Sequence, residues 1–241
     1  MTHGKGDYAM KTIVCSYEEC NARAAAQIRR ILKEKPDAVL ALSAGRTPRG
    51  LYEELSRLCA AGELSFRDAR LFAVTEFEGV DEADSCRHML ESCFVEKTDI
   101  KPENCRFLSP ETIGSYDAEI KDAGGLDVAV LGLGANAHIG YNEPAVQYDS
   151  LSHRQKLTDA TKRQNAEVFG SEDAVPEYGY TMGIYTLVWA SEIIVLAFGE
   201  EKADAVHKML YGRNDSSVPA AFLQIPRDVT VYLDEAAAAK M

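Results

Sequence analysis

Short apolar runs alternate along this chain with longer stretches in which apolar positions recur every three or four residues. The run at 12–15 predicts a strand, and Ala24, Ile28, Ile31 and Leu32 within 17–35 carry the spacing of one helical face. Pro36 and Asp37 end that helix. The same alternation predicts a strand at 38–42, a helix from 48 to about 61, a strand at 70–75, a helix from about 85 to 97 and a short helix at 116–123. Residues 126–131 and 192–198 are apolar without clear alternation, which marks strands covered on both faces. A helix at 200–211 and a strand at 229–233 complete the series. This succession predicts an α/β fold: a doubly wound, mostly parallel sheet with helices on both faces. There is no internal repeat and no linker rich in Gly, Ser or Pro, so 11–241 is expected to form one domain. Residues 1–10, with two glycines and no periodicity, read as a mobile N-terminal extension.

Ligands of such sheets bind beyond the carboxyl ends of the strands, which directs attention to four loops. In "LSAGRTPRG" (42–50) a strand ends in Ser43, Ala44, Gly45, Arg46 and Thr47, and Pro48 opens a helix. Thr47 is the expected N-cap, and the free N–H groups and positive dipole end of the helix suit a phosphate. An ordinary capped turn would have the same sequence. In "FAVTEFEG" (72–79) Glu76 stands directly beyond a strand, where a lone glutamate is usually just solvated. In "VLGLGANAHIGYNEPA" (130–145) Asn136, His138, Asn142 and Glu143 fall within eight residues among small neighbours. A histidine beside a carboxylate can be fixed in one tautomer and work as an acid or base near neutral pH. In "AFGEEKADAV" (197–206) Lys202 is expected in the first turn of a helix, where a cation is unfavourable unless an anion lies in front of it.

Composition narrows the chemistry further. A formal charge of −12 argues against a nucleic-acid partner, while leaving room for a small anion at a local site of opposite sign. The six cysteines stand singly, with neither a CxxC pair nor a zinc-type His/Cys spacing, so no metal is expected and a reduced, cytoplasmic chain is inferred. No apolar run approaches the roughly 20 residues of a bilayer span, and no charged-then-apolar leader opens the sequence, so no membrane partner is expected.

Together, "LSAGRTP", "FVEKTDIKPEN", "GLGANAHIGYNEPA" and "VPEYGYTMGIYTLVWASEIIVLAFGEEKADAV" resemble the glucosamine-6-phosphate deaminase family, a relative in fold of 6-phosphogluconolactonase. The similarity extends from about residue 11 to 235, and Asn142-Glu143-Pro144 points to the deaminase branch. The resemblance implies a modified Rossmann-like fold and conversion of an amino-sugar 6-phosphate and water into a ketose 6-phosphate and ammonia. It implies that Ser43, Gly45 and Thr47 hold the phosphate with Lys202, that His138 opens the sugar ring, and that Glu143 and Asn136 orient His138. No organic cofactor is required, the partner is a small sugar phosphate, and a homo-oligomer is compatible with the sequence.

Three positions depart from the family pattern. Thr75 stands where the family has the aspartate that moves the C2 proton, and a threonine hydroxyl is hardly ionised at neutral pH. Glu76 is the nearest carboxylate, but in an extended chain adjacent side chains point to opposite faces. Asn136 replaces a frequent aspartate; it is expected to accept a hydrogen bond from His138 without supplying charge. Glu167 occupies the place of a phosphate-binding arginine, leaving Arg46, Lys162 and Arg163 as candidate substitutes. A sugar-lactone hydrolase and a sugar-phosphate sensor without turnover therefore stand as alternatives to the deaminase.

Overall fold

The computed structural model describes residues 10–226 and 228–241, so the extension expected at 1–10 lies outside the described residues but for Met10. In chain order the elements are β1 (Lys11–Val14), α1 (Tyr17–Glu34), β2 (Val39–Leu42), α2 (Arg49–Ala60), β3 (Arg70–Ala73) and β4 (Thr75–Phe77). They continue with α3 (Cys86–Cys93), β5 (Cys105–Arg106), α4 (Tyr116–Asp122), β6 (Val128–Gly132), β7 (His153–Lys156) and α5 (Asp159–Phe169). The remainder are β8 (Tyr178–Thr181), α6 (Ile184–Val188), β9 (Glu192–Ala197), α7 (Ala203–Tyr211) and β10 (Val229–Leu233), with short 3-10 turns between several of them.

Seven strands form one wholly parallel sheet in the order β1-β10-β9-β6-β2-β3-β5. Alternate residues of each central strand serve two separate cores. Val39 and Ala41 of β2 and Ile193, Val195 and Ala197 of β9 pack on one face with α6 and α7. Leu40, Leu42, Ile194 and Leu196 pack on the other with α1 and α2. Because both faces are covered, the strands carry no polar alternation, which is why their runs read as continuously apolar.

From β2 the chain winds outward through β3 to β5, and from β6 it winds the other way through β9 to β10. The strand order therefore reverses between β2 and β6, and the loops after those two strands part around a crevice.

A second sheet, absent from the sequence expectations, has the antiparallel order β4-β8-β7. The strand expected at 70–75 ends at Ala73, and after Val74 the chain joins this small sheet. Val74 itself is shared: its N–H donates to Leu42 O at 3.0 Å in the large sheet, while its carbonyl accepts from Met182 N at 2.8 Å near the small one. The helix expected at 85–97 is also divided. Its α part stops at Cys93 because Phe94 leaves helical geometry (φ −134°, ψ −57°). The Phe94 ring packs against those of Phe66 and Tyr52, with centroids 4.9 and 5.5 Å away.

Candidate active site

At the crevice between β2 and β6 lies a cavity of about 360 Å³, within the size range of small-molecule sites. Ser43 to Thr47, Thr75, His138 and Lys202 line it together, although they come from the ends of β2, β3, β6 and β9.

The loop after β2 forms the anion-binding end. Thr47 is not the N-cap expected from sequence: Pro48 takes that place, without a side-chain cap bond, and α2 begins at Arg49. Thr47 is thereby released to the crevice, where it sits against Gly132 at the end of β6. Gly45 adopts φ +118°, a conformation that L side chains rarely enter. The Ser43 hydroxyl is buried without a protein partner, the kind of orphan that a ligand oxygen would satisfy.

Lys202 closes this end. The helix expected from 200 starts as a 3-10 turn, Glu200–Lys202, and Lys202 is the residue that caps α7. Among the described residues it is buried with no carboxylate within ion-pair distance, and its nearest side-chain partner is Gln164 Oε1 at 3.5 Å. Burial pushes its pKa below the ordinary lysine value; Glu201 opposes that shift and Arg46 adds to it. Arg46 itself pairs with Glu167 across the mouth of the cavity. Of the three basic residues left open by the sequence, Arg46 lines the cavity, whereas Lys162 and Arg163 do not.

The reaction end is built by the loop after β6. A tight turn, closed by Ala137 N–H to Gly134 O at 2.9 Å and Gly134 N–H to His138 O at 3.0 Å, sets Ala137 at φ +64°. The His138 ring lies flat on Gly134, where a Cβ would come within 2.4 Å of the ring, so any side chain there would displace it. Asn142 is wholly buried and structural: its amide donates to the carbonyls of Ile139 at 2.9 Å and Met182 at 2.8 Å.

Behind His138 lies a polar group that sequence reasoning only partly found. Glu143 Oε2 stands 3.6 Å from His138 Nδ1, beyond hydrogen-bond reach. Thr161 intervenes: its hydroxyl donates to Glu143 Oε1 and lies 3.1 Å from His138 Nδ1. A hydroxyl has one proton; with that proton directed at Glu143, it accepts from an Nδ1–H. Nε2 is then left to meet a ligand. Glu143 also accepts from Thr158 N–H at 3.1 Å and from the Asn136 amide at 2.9 Å.

Asn136 therefore does not accept from the imidazole as expected. Its Oδ1 takes the backbone N–H of His138 at 3.2 Å, and its amide supports Glu143. Burial alone would raise the Glu143 carboxyl, but His138, Thr161 and Asn136 outweigh it and hold the group at about 2.

Thr161 was missed because it belongs to α5, a helix with no apolar signature. Thr158 caps α5 by accepting from Thr161 N–H, and Gln164, Asn165 and Val168 continue the face of Thr161 along the cavity wall. The i, i+3, i+4, i+7 spacing of that face was the available signal, hidden because its residues are mainly polar.

On the opposite rim the carboxylate expected near the chemistry is turned away. Thr75 lines the cavity and Glu76, in the extended β4, does not. The Glu76 carboxylate instead accepts the N–H groups of Phe77 and Cys86 at 2.8 Å and Arg87 at 2.9 Å, holding the start of α3. Burial pushes its pKa up against those three bonds. The Thr75 hydroxyl points at Cys86 Sγ, 3.7 Å away, and that sulfur lies 3.6 Å from the Tyr141 hydroxyl. Burial pushes the Cys86 thiol up to about 12 and the Tyr141 phenol well above its usual value.

No group of three or more potential metal-ligating side chains occurs among the described residues. Nor does any helix among them reach the length and apolarity needed to cross a membrane.

The chain resembles known proteins over nearly its whole length. The sequence model described as "Glucosamine-6-phosphate isomerases/6-phosphogluconolactonase" matches residues 16–232. The chain is 37% identical to a glucosamine-6-phosphate deaminase of Clostridium acetobutylicum, covering 93% of this chain and 97% of the relative. It is 38% identical to that of Bacillus velezensis, covering 95% and 99%. A solved monomeric glucosamine-6-phosphate deaminase superposes with a TM-score of 0.92 at 35% identity, over 96% of this chain and 100% of the other. The 6-phosphogluconolactonase of Trypanosoma brucei, at 20% identity and a TM-score of 0.77, shares the fold. With near full-length matches in both sequence and structure, the chain belongs to the glucosamine-6-phosphate isomerase/6-phosphogluconolactonase family.

Proposed function

We propose that this protein converts an amino-sugar 6-phosphate, glucosamine 6-phosphate first among the candidates, into the ketose 6-phosphate and ammonia. The observation that carries this reading is the alignment of one cavity between an anion-binding end and a tautomer-fixed imidazole. At one end Ser43, Gly45, Thr47, Lys202 and Arg46 receive the phosphate; at the other, Nε2 of His138 meets the hemiacetal at C1.

In this reading His138 takes the proton of O1 and returns one to the ring oxygen, opening the sugar. A C2-to-C1 proton shift then gives an imine, and water releases ammonia from it. None of these steps calls for a redox partner or an organic cofactor. Glu143 stabilises the imidazolium through Thr161, and Asn136 steadies Glu143. Thr75 leaves the C2 step without an ionised base, which typically costs on the order of 10² to 10⁴ in rate.

The same Thr75 favours a second reading, hydrolysis of a 6-phosphosugar lactone, where no C2 proton moves. Ammonia release from glucosamine 6-phosphate and galactosamine 6-phosphate, measured in parallel with 6-phosphogluconolactone hydrolysis, separates the two. The expected result is ammonia from an amino sugar, lost by on the order of 10⁴ in His138→Ala. Lactone hydrolysis without ammonia from either sugar would replace the deaminase by the lactonase.

A further inference from the structure

We infer that this site interconverts the α and β anomers of its hexosamine 6-phosphate as an activity in its own right, running many ring openings for each ammonia released. The inference rests on the sugar-phosphate reading above and on how acid and base groups are distributed around the cavity.

Ring opening and the C2 proton shift make different demands. O1 and the ring oxygen are both bonded to C1, so one nitrogen can reach both, and His138 Nε2 is that nitrogen. The C2 proton is held by carbon, and its removal requires a separate ionised base.

Each remaining group near the cavity is committed elsewhere. Glu143 lies behind the imidazole, one oxygen taken by Thr158 N–H and Thr161 and the other by Asn136. Glu76 faces the start of α3. Glu167 pairs with Arg46 at the mouth, and Glu201 stands beside Lys202 at the anion end. Thr75, Cys86 and Tyr141 remain: two hydroxyls and a thiol in mutual contact, buried, and uncharged near neutral pH.

The step balances without any co-reactant. Nε2 takes the O1 proton as C1=O1 forms and the C1–O5 bond breaks, and O5 leaves with the proton of the imidazolium. Rotation about C1–C2 presents the other face of the aldehyde, O5 adds to it, and the proton transfers run in reverse. The product differs from the substrate only in configuration at C1.

Saturation transfer between the anomeric proton signals of glucosamine 6-phosphate, with ammonia and C2 deuteration followed in the same D2O samples, tests this directly. Protein-dependent anomer exchange is expected to exceed both ammonia release and C2 deuteration by about 10²-fold or more, the typical loss from a missing base. It should fall to the buffer rate in His138→Ala and in His138→Gln, the second variant guarding against misfolding of the first. Ammonia release with exchange no faster than buffer would overturn the inference and leave the deaminase reading intact. C2 deuteration as fast as anomer exchange would overturn it too, by revealing a working base. Binding with neither exchange nor ammonia refutes the inference, and absence of glucosamine 6-phosphate binding by calorimetry removes the sugar-phosphate reading along with it.

Discussion

Glu143, on the rim beyond β6, and Glu76, on the rim beyond β3, are buried carboxylates that follow parallel strands on opposite sides of the same crevice. Mainly side chains surround the first: beside one backbone N–H, that of Thr158, the groups of His138, Thr161 and Asn136 bring its carboxyl to about 2 despite burial. Backbone surrounds the second: the N–H of Phe77 in β4 and those of Cys86 and Arg87 at the start of α3 receive its charge, and burial still raises its pKa. A glutamate beyond a strand end is thus not defined by its place in the sheet. What its oxygens meet decides whether it supports an imidazole or a helix.

The sharpest way to break this contrast is to give the β3 rim a base of its own. Thr75→Asp is expected to raise ammonia release by about 10²-fold and to introduce C2 deuteration at a matching rate. An unchanged or lower rate in a coupled ammonia assay would mean that the C2 proton is handled from another direction.

Next in size is the role of Glu76. Glu76→Ala leaves two N–H groups at the start of α3 and that of Phe77 in β4 without their acceptor, and is expected to lower stability by about 2 kcal/mol in urea unfolding. A near-neutral effect on stability with a collapse in turnover would return Glu76 to the chemistry.

On the β6 rim, Thr161→Val removes the hydroxyl between His138 and Glu143 at nearly constant volume. A roughly tenfold fall in kcat is expected, the worth of about one net hydrogen bond. KM should change little, the pH profile of kcat should shift, and Thr161→Ser should restore both rate and profile. Equal losses in valine and serine variants would reduce Thr161 to a packing residue.

The smallest effect concerns the anion end. Since burial lowers the pKa of Lys202, its charge is lost, as pH rises, over an interval below that of an ordinary lysine, whose value is 10.5. Affinity for inorganic phosphate, followed by calorimetry, should therefore weaken severalfold over that interval. Lys202→Met should start weaker and lose most of the pH dependence.

Much of the large sheet was legible because strands covered on both faces carry a signal that needs no partner to read. Leu40 and Leu42 point one way and Val39 and Ala41 the other, and all four are apolar. The small sheet gave no such signal. His153–Lys156 reads HRQK, polar throughout, and Thr75–Phe77 looks like the tail of β3 until the exchange of partners at Val74 is seen.

The site divides in the same way. Ser43, Thr47, His138 and Lys202 follow strand ends that sequence can locate, and the fold brings them to one cavity. Thr161 and the averted face of Glu76 depend on a third dimension, the packing of α5 and α3 against those strands.

The contact between His138 and the bare backbone of Gly134 has a thermodynamic consequence. With its face against glycine and Nδ1 against Thr161, the imidazole has both torsions settled before any sugar arrives. Freezing a mobile side chain on association costs about 0.5 to 1.5 kcal/mol. Here that entropy is surrendered during folding, so a ligand meets an ordered ring and its own contacts are free to act on the reacting bond.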